Sequence, residues 1–411
     1  MRPPAESGPL PEEPDGPLTL REALALSLLR SPSLPAAALE VRAAEARQIQ
    51  AGLLPNPEAS YSHENVGGTL KDSAERTVLL SQLVELGGKR SARMAVAEGE
   101  AELAGWDYEA LRLDVLTATA RDFVGVLGAQ ARLRVAEDSL RIAEETLRAT
   151  RARAEGGAVG PVEVRRIEID AAAVSIERDK AAADLEGERA RLVSNWGSKR
   201  PRFTEAVGDL PPVPAPPGAE DLVPLLDRNP DLARFEAEER VLRAELDAAK
   251  AGRIPDVTLG AGRRGFEETG DRGYLFEVSM PLPVFDRRQG EIAAAEARLS
   301  AVRMRRNAAQ QRLRADLVAA RAALDASVRE AESFRIRIVP WSREVLEATT
   351  ERYRAGKVGY LELLDARRTY AESAAREAES LAGLHRRRIE IERLIAGPLE
   401  AAPAPGPERK E

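Results

Sequence analysis

Hydrophobic and polar positions along this chain follow a helical period over most of its length. From about Arg90 to Glu155, and again from about Arg287 to Ala355, the pattern reads as one unbroken helix. At 1.5 Å per residue, each run of roughly 66 residues would extend on the order of 100 Å. Helices of that length need continuous lateral partners. In the first run Leu133, Leu140 and Leu147 repeat every seven residues, and so do Val135, Ile142 and Ala149. The return helices carry Val162, Ile169 and Ile176 in one half and Leu363, Tyr370, Leu384 and Ile391 in the other. Two heptad stripes offset by two positions lie about 200° apart, which predicts helices with partners on two sides, laid edge to edge into a curved wall or tube. An ordinary bundle with a broad apolar face satisfies the same pattern.

Twice the period changes from helix to strand. Glu58 to Asn65 and Arg76 to Leu83 alternate around a loop containing Val66, Gly67 and Gly68. Asp256 to Gly262 and Tyr274 to Met280 do the same around Glu267 to Gly273. Each pair reads as a β-hairpin. Tyr274, Phe276, Val278 and Met280 sort to one face, against Leu275, Glu277 and Ser279 on the other. Strands of this length and alternation suit a membrane barrel. Four strands cannot close one, so a barrel would need several chains. A soluble β-cap on the helices is the other reading of these segments.

The two halves are copies. Arg153 to Val164 contains Gly157, Val159, Gly160 and Glu163, and Arg352 to Leu363 contains Gly356, Val358, Gly359 and Glu362, 199 positions later. Ser31-Pro32 answers Asn229-Pro230, and Pro55-Asn56 answers Pro255-Asp256. A period this long marks two copies of a whole subdomain, not a solenoid of short units. The organisation expected is a disordered segment at 1–17 and a first repeat at 18–200, with its β-hairpin at 57–85 and helical tip at 156–162. A proline-rich linker at 201–218 follows. The second repeat covers 219–397, with its hairpin at 255–283 and tip at 355–361, and a disordered tail covers 398–411.

Composition narrows the function classes. The 61 basic and 68 acidic residues are interleaved, without the basic stripe of a nucleic-acid-binding protein. Cysteine is absent, which excludes disulfides, thiolate metal sites, cysteine nucleophiles and acylation of an N-terminal cysteine. The stretch after Met1 shows no apolar core of a signal peptide. The two histidines, His63 and His385, lie far apart in sequence and give no metal-ligand spacing. Gly87-Gly88-Lys89-Arg90-Ser91 lacks the spacing of a phosphate loop and reads as a turn with a helix start. No catalytic residue, cofactor site or metal site is nominated, and the chain reads as a non-enzyme.

Three sets of residues carry a resemblance. They are the strand-to-helix junctions Leu80 to Arg90 and Met280 to Ile292, the Pro-rich strand starts at Pro55 and Pro255, and the tip Tyr353 to Arg367. In these the chain resembles the outer-membrane efflux protein (TolC-like) family, and most of all its heavy-metal cation-efflux branch. The resemblance implies a mostly α fold with a small β part. Duplicated long helical hairpins would form a coiled-coil tunnel, and a homotrimer would close a 12-strand barrel in outer-membrane lipid. It implies a passive exit duct that reaches from the bacterial outer membrane into the periplasm, working with a periplasmic adaptor protein and an inner-membrane efflux pump. A periplasmic coiled-coil adaptor or structural protein is the alternative, and the strand pair in each hairpin argues against it.

The tip then gains a meaning. Glu362 and Asp365 lie three apart just past the turn, and threefold symmetry would make them rings that hold cations. Tyr353 and Lys357 are expected to reach Glu163 of the neighbouring hairpin and tether a closed gate. Gly157, Val159, Gly160, Gly356, Val358 and Gly359 form the tips expected to touch the adaptor.

Overall fold

The first long apolar pattern becomes one helix of 67 residues, α3 (Lys89–Glu155), because neither proline nor a strand-forming run interrupts it. A computed structural model describes residues 12–65, 74–157, 159–211, 213 and 217–399. The preceding elements are β1 (Leu18–Thr19), α1 (Leu20–Arg30), α2 (Ser33–Ala51), β2 (Glu58–Glu64) and β3 (Glu75–Val84). After α3 come α4 (Pro161–Ser194), β4 (Ala206–Val207), α5 (Ala219–Leu222), α6 (Pro230–Ala251), β5 (Val257–Phe266) and β6 (Arg272–Ser279). The chain ends with α7 (Gln289–Ser333), α8 (Val339–Arg354) and α9 (Tyr360–Leu394).

The second long pattern is not the single helix its periodicity predicts. Between α7 and α8 lies a π-helical turn, Phe334–Ile338, in which the Val339 N–H reaches the Phe334 carbonyl five residues back. Pro340 follows at once. Proline has no N–H and its ring collides with the carbonyl four residues earlier, so the ladder accommodates it by widening one turn.

Each compact unit draws on both halves of the chain. One comprises residues 37–108 and 230–310. Its sheet is antiparallel in the order β2-β3-β5-β6. Register places Tyr61, Val78, Arg263 and Tyr274 in one row, and Ala59, Leu80, Ala261 and Phe276 in the next. Tyr274, Phe276 and Val278 on that face are 86%, 80% and 73% exposed. The other face carries Glu58, Ser60, Ser81, Thr258 and Glu277, and also Leu79, which lies 3.2 Å from where a Cβ on Gly260 would stand. Below the strands, Gly87 and Gly88 turn with φ of 70° and 74° into α3, and Asp256 accepts from the Leu86 N–H while pairing with Lys89 at 2.8 Å. Leu246 of α6 packs with Leu299 and Val302 of α7.

The other unit contains the segments up to residue 36, 109–229 and from 311 on. β1 pairs in parallel with β4 over a core of Leu26, Phe123, Val126, Leu192, Trp196 and Phe203. The N-terminal segment expected to be disordered over 1–17 is held from residue 12. Glu13 is buried and accepts from Trp196 Nε1 at 3.1 Å, and Asp15 pairs with Arg202 at 2.8 Å. Residues 1–11 lie outside the described ones. At the other end Leu399 is buried and donates its N–H to Glu392, so the expected disorder does not begin at 398; residues 400–411 lie outside the described ones. The first hairpin's loop at 66–73, and the linker residues 212 and 214–216, lie outside them too. The described part of the linker is tied down by Arg321, which donates to the Pro217 carbonyl at 2.6 Å, and by His385 on the Pro211 carbonyl at 2.9 Å.

The heptad stripes of α3 flank the line that is buried within the chain. Ser139, Ala143 and Thr150 are buried, while Leu140 and Ile142 on either side are half-buried. On α4 the expected stripe Val162, Ile169 and Ile176 is exposed, at 67%, 64% and 56%. The line that packs inside the chain is instead Ile167, Asp170 and Ala171.

Candidate functional site: the two helical tips

The two turns share one backbone design. Gly157 and Gly356 sit at φ of 73° and 71°, in the left-handed region where only glycine is unstrained. At the second turn the Lys357 N–H reaches the Arg352 carbonyl and the Gly356 N–H the Tyr353 carbonyl, both bonds of a Schellman ending. Gly160 and Gly359 cap the return helices α4 and α9 at φ of −80° and −83°. A Cβ at either would meet nothing within 4 Å. Neither conformation nor any neighbour in the chain requires glycine at these two positions. Val159 and Val358 are half-buried, and Val358 packs on the core formed by Ile167, Leu346 and Tyr353.

Tyr353 is buried and joins three helices. Its hydroxyl lies 2.9 Å from Thr150 Oγ1 of α3 and donates to Glu163 Oε1 of α4 at 3.4 Å. The Arg153 guanidinium stands 5.3 Å from its ring centroid. Burial raises the Tyr353 pKa, so the hydroxyl keeps its proton and remains a donor. The structure therefore brings Tyr353 and Glu163 together as expected from the duplication. Lys357 does not join them: it is exposed, and its side chain makes no hydrogen bond or ion pair among the described residues. Within the chain the Glu163 carboxylate takes the Tyr353 hydroxyl. Glu362 and Asp365 are exposed, and Glu362 stands 3.6 Å from Arg352.

One turn deeper lies a cluster that the sequence reading missed. Asp170 of α4 is buried and accepts from the Tyr360 hydroxyl at 2.9 Å and from the Arg367 guanidinium, both on α9. Arg368 stands 4.0 Å from its other oxygen. Arg367 is itself buried. Burial, with the adjacent carboxylate, pushes the Tyr360 hydroxyl well above its ordinary pKa. Tyr353 and Tyr360 meet edge to face at 6.3 Å, which links the two polar groups into one plug. The available signal was positional. Asp170 and Arg367 fall on the helix lines that otherwise carry Ile167, Ala171, Leu363 and Ala366, where a charge must be paired.

Among the described residues no three His, Asp or Glu stand together as a metal cluster. The arrangement can tie hairpins together and present charge at a turn. His63 stands 3.6 Å from Glu267, in the loop after β5, and Arg76 pairs with the same carboxylate at 2.6 Å.

Comparison with known proteins agrees with this architecture. The sequence matches the outer membrane efflux protein family over residues 23–198 and 222–397, one stretch in each repeat. It is 31% identical over 385 residues to the cobalt-zinc-cadmium resistance protein CzcC of Cupriavidus metallidurans, covering 94% of this chain and 91% of that one. It is 30% identical over 314 residues to the nickel and cobalt resistance protein CnrC of the same species, covering 73% and 72%. Among solved structures it is similar to CusC, with a TM-score of 0.78 at 18% identity over 92% of each chain. It is similar also to the outer-membrane channel OprN, with a TM-score of 0.75 at 20% identity over 93% and 90%. With both repeats matched and the fold shared, the chain belongs to the outer membrane efflux protein family and is an outer-membrane efflux channel.

Proposed function

We propose that three copies of the chain assemble into the exit duct of a tripartite efflux system and pass heavy-metal cations out through the outer membrane. The observation that carries this is the sheet. Its row Ala59, Leu80, Ala261 and Phe276 is apolar across all four strands, and its edges β2 and β6 have no strand partner among the described residues. In lipid each unpaired backbone group costs several kcal/mol, so the edges must pair with other copies. Three copies supply twelve strands. The exposed stripe Val162, Ile169 and Ile176 of α4 provides the lateral contact that such a ring needs from its helices.

The polar face of the sheet supports cations as cargo. Glu58 and Glu277 share one row with Ser81 and Gly260, and neither makes an ion pair among the described residues. Relatives named for resistance to cobalt, zinc, cadmium and nickel point to the same cargo.

The tips form the gate. Asp170 with Arg367 and Tyr360, and Tyr353 with Glu163, hold the closed state. Glu362 and Asp365 line the mouth as acidic rings. Gly157, Val159, Gly160, Gly356, Val358 and Gly359 receive a periplasmic adaptor. Bare glycine at 160 and 359 leaves room for another chain to approach the backbone closely. The energy comes from an inner-membrane pump, the third part of such a tripartite system.

The test uses a cell whose own metal-efflux duct is deleted but whose pump and adaptor remain. The full chain should restore growth in zinc, cobalt and cadmium, and protein extracted in detergent should have the mass of a trimer. Phe276→Arg should abolish both, at about 2–4 kcal/mol per chain for a charge facing mid-membrane lipid. A monomeric mass with unchanged tolerance would sink the duct.

A further inference from the structure

A cleft lies away from the tips, between α3 and α9. It has a volume of about 370 Å³ and is lined by Arg121 of α3 and by Arg386, Arg387, Glu390 and Arg393 of α9. Arg393 pairs with Asp114 at 2.7 Å. Four guanidinium groups thus face two carboxylates, those of Glu390 and Asp114. Arg121, Arg386 and Arg387 make no hydrogen bond or ion pair among the described residues. Elsewhere in the same unit Arg151, Arg191, Arg202 and Arg367 each meet a carboxylate. Arg386 and Glu390 even have the i,i+4 spacing of a helical ion pair, and it is not made. Gly383 also lines the cleft, and a Cβ there would meet nothing within 4 Å, so this wall stays open.

Helix geometry fixes which side the cleft opens on. On α3, Phe123, Val126 and Leu127 face the core under Trp196 and Phe203. At 100° per residue, Arg121 lies roughly half a turn from them. On α9, His385 reaches the Pro211 carbonyl of the linker, and Arg387 is again roughly half a turn away. The cleft therefore opens on the helix surface opposite the linker and the β1–β4 pair. A ring of helices closed with that linker on its outside would turn the cleft to the lumen.

We propose that this cleft is a luminal binding site for multivalent oxyanions, with the guanidinium groups of Arg121, Arg386 and Arg387 as the donors. Their planar forks match phosphate and carboxylate oxygens two at a time, and a lining with surplus positive charge holds a multivalent anion more firmly than chloride. In a duct for metal cations, such a site would retain counter-anions or an anionic ligand leaving with the metal. Only the luminal placement rests on the duct reading; the chemistry of the cleft does not.

The test is calorimetric titration of the detergent-extracted full chain with inorganic phosphate and, separately, with citrate, in chloride buffer. Saturable binding of either is expected, and the stronger of the two identifies the source as phosphate or polycarboxylate. Arg121 and Arg387 are exposed, so the double variant Arg121→Gln/Arg387→Gln should fold. It should weaken binding roughly tenfold or more, as the loss of charge-assisted contacts requires. Arg141→Gln, at an exposed ion pair elsewhere on α3, should bind as the parent does. Absence of saturable binding, or equal binding by the double variant, overturns the site. If binding is present and lost in the double variant but the same anions leave ionic current through bilayer-inserted protein unchanged, the luminal placement fails and the binding site stands.

Discussion

The two tips are copies that still share the same turn, yet they are packed differently. Positions 199 apart correspond, so Gly157 and Gly356 end their helices alike, and Thr150 and Thr349 are both buried. Below the turn the copies part. Glu168 sits in ion pairs with Arg151 and Arg165 at 2.7 and 2.8 Å, on a partly exposed surface. Its counterpart Arg367 is buried against Asp170. The counterpart of Asp170 is Thr369, which is exposed, and the counterpart of Tyr360 is Pro161. Glu163 takes a bond from buried Tyr353, while its counterpart Glu362 faces solvent beside Arg352. Duplication supplied two identical scaffolds, and divergence at a few seam positions supplied the plug. An identical pair of hairpins could pack, but it would have no complementary charges to hold one against the other.

The sharpest way to break the comparison is to remove the buried charge. Arg367→Met leaves the buried Asp170 carboxylate with only the Tyr360 hydroxyl and the 4.0 Å approach of Arg368, and should cost up to about 3–5 kcal/mol, read from the denaturation midpoint of extracted protein. The double variant Asp170→Asn/Arg367→Met should recover most of the loss, because the isolated charge is gone. Glu168→Gln, at the corresponding position, should leave the midpoint almost unchanged, since its partners are solvated. Equal losses at 168 and 367 would mean that burial does not distinguish the copies.

The long helices diverge in the same way. Position 141 in α3 corresponds to Pro340 in the second copy, where the π turn makes room for the proline. Arg141→Pro would place a proline in a helix with no such turn and should cost about 3 kcal/mol or more. Pro340→Ala removes an exposed ring and should change stability by no more than about 0.5 kcal/mol. Helical content by circular dichroism and the midpoint together decide it. A mild Arg141→Pro would show that α3 tolerates the same widening.

Most of the fold was legible because its signals are periodic. Long runs gave α3, α4, α7 and α9, alternation gave the exposed face with Tyr274, Phe276 and Val278, and Gly-x-Val-Gly gave the turns. What escaped were single residues whose meaning depends on a partner far away. Pro340 lies inside a run whose period alone reads as one unbroken helix. Asp170 and Arg367 look like many other charges on these helices, and only their place on an apolar line sets them apart. Glu13 sits in a proline-rich stretch that reads as disorder, and its burial follows from Trp196, 183 residues away. The stripe Val162, Ile169 and Ile176 reads as a packing seam, but it is exposed in the folded chain.

A smaller contrast concerns pH. His385 is buried on the Pro211 carbonyl, and burial lowers its pKa below the ordinary 6.5, against an opposing effect of the carbonyl bond. Arg388 lowers it further, and Glu392 raises it. The unfolded chain therefore binds this proton more readily than the folded one. The stability it contributes is present above about pH 6.5 and is lost as the pH falls below that value. His385→Gln should flatten this part of the profile of thermal midpoint against pH. The corresponding Glu186 is largely exposed and paired with Arg189, and Glu186→Gln should leave the profile as it was. A parental slope in His385→Gln would place the proton elsewhere.

The smallest expected effect is at the exposed carboxylates, and it separates charge from tether. Glu362 and Asp365 are solvated and hold nothing together within the chain except the 3.6 Å approach of Arg352. Replacing both with Ala should therefore raise single-channel conductance only slightly. If the carboxylates ring the mouth of the trimer, the same change should weaken block by divalent cations, because a crowded ring of negative charge is what binds them. Glu163→Ala with Tyr353→Phe removes the bond between α4 and α8 and should raise conductance more, with less change in block. These two signatures are opposite in kind, so one set of planar-bilayer recordings reads both. Divalent block that persists in Glu362→Ala/Asp365→Ala would make these carboxylates ordinary surface charges. The difference between the tips would then lie wholly in the buried plug.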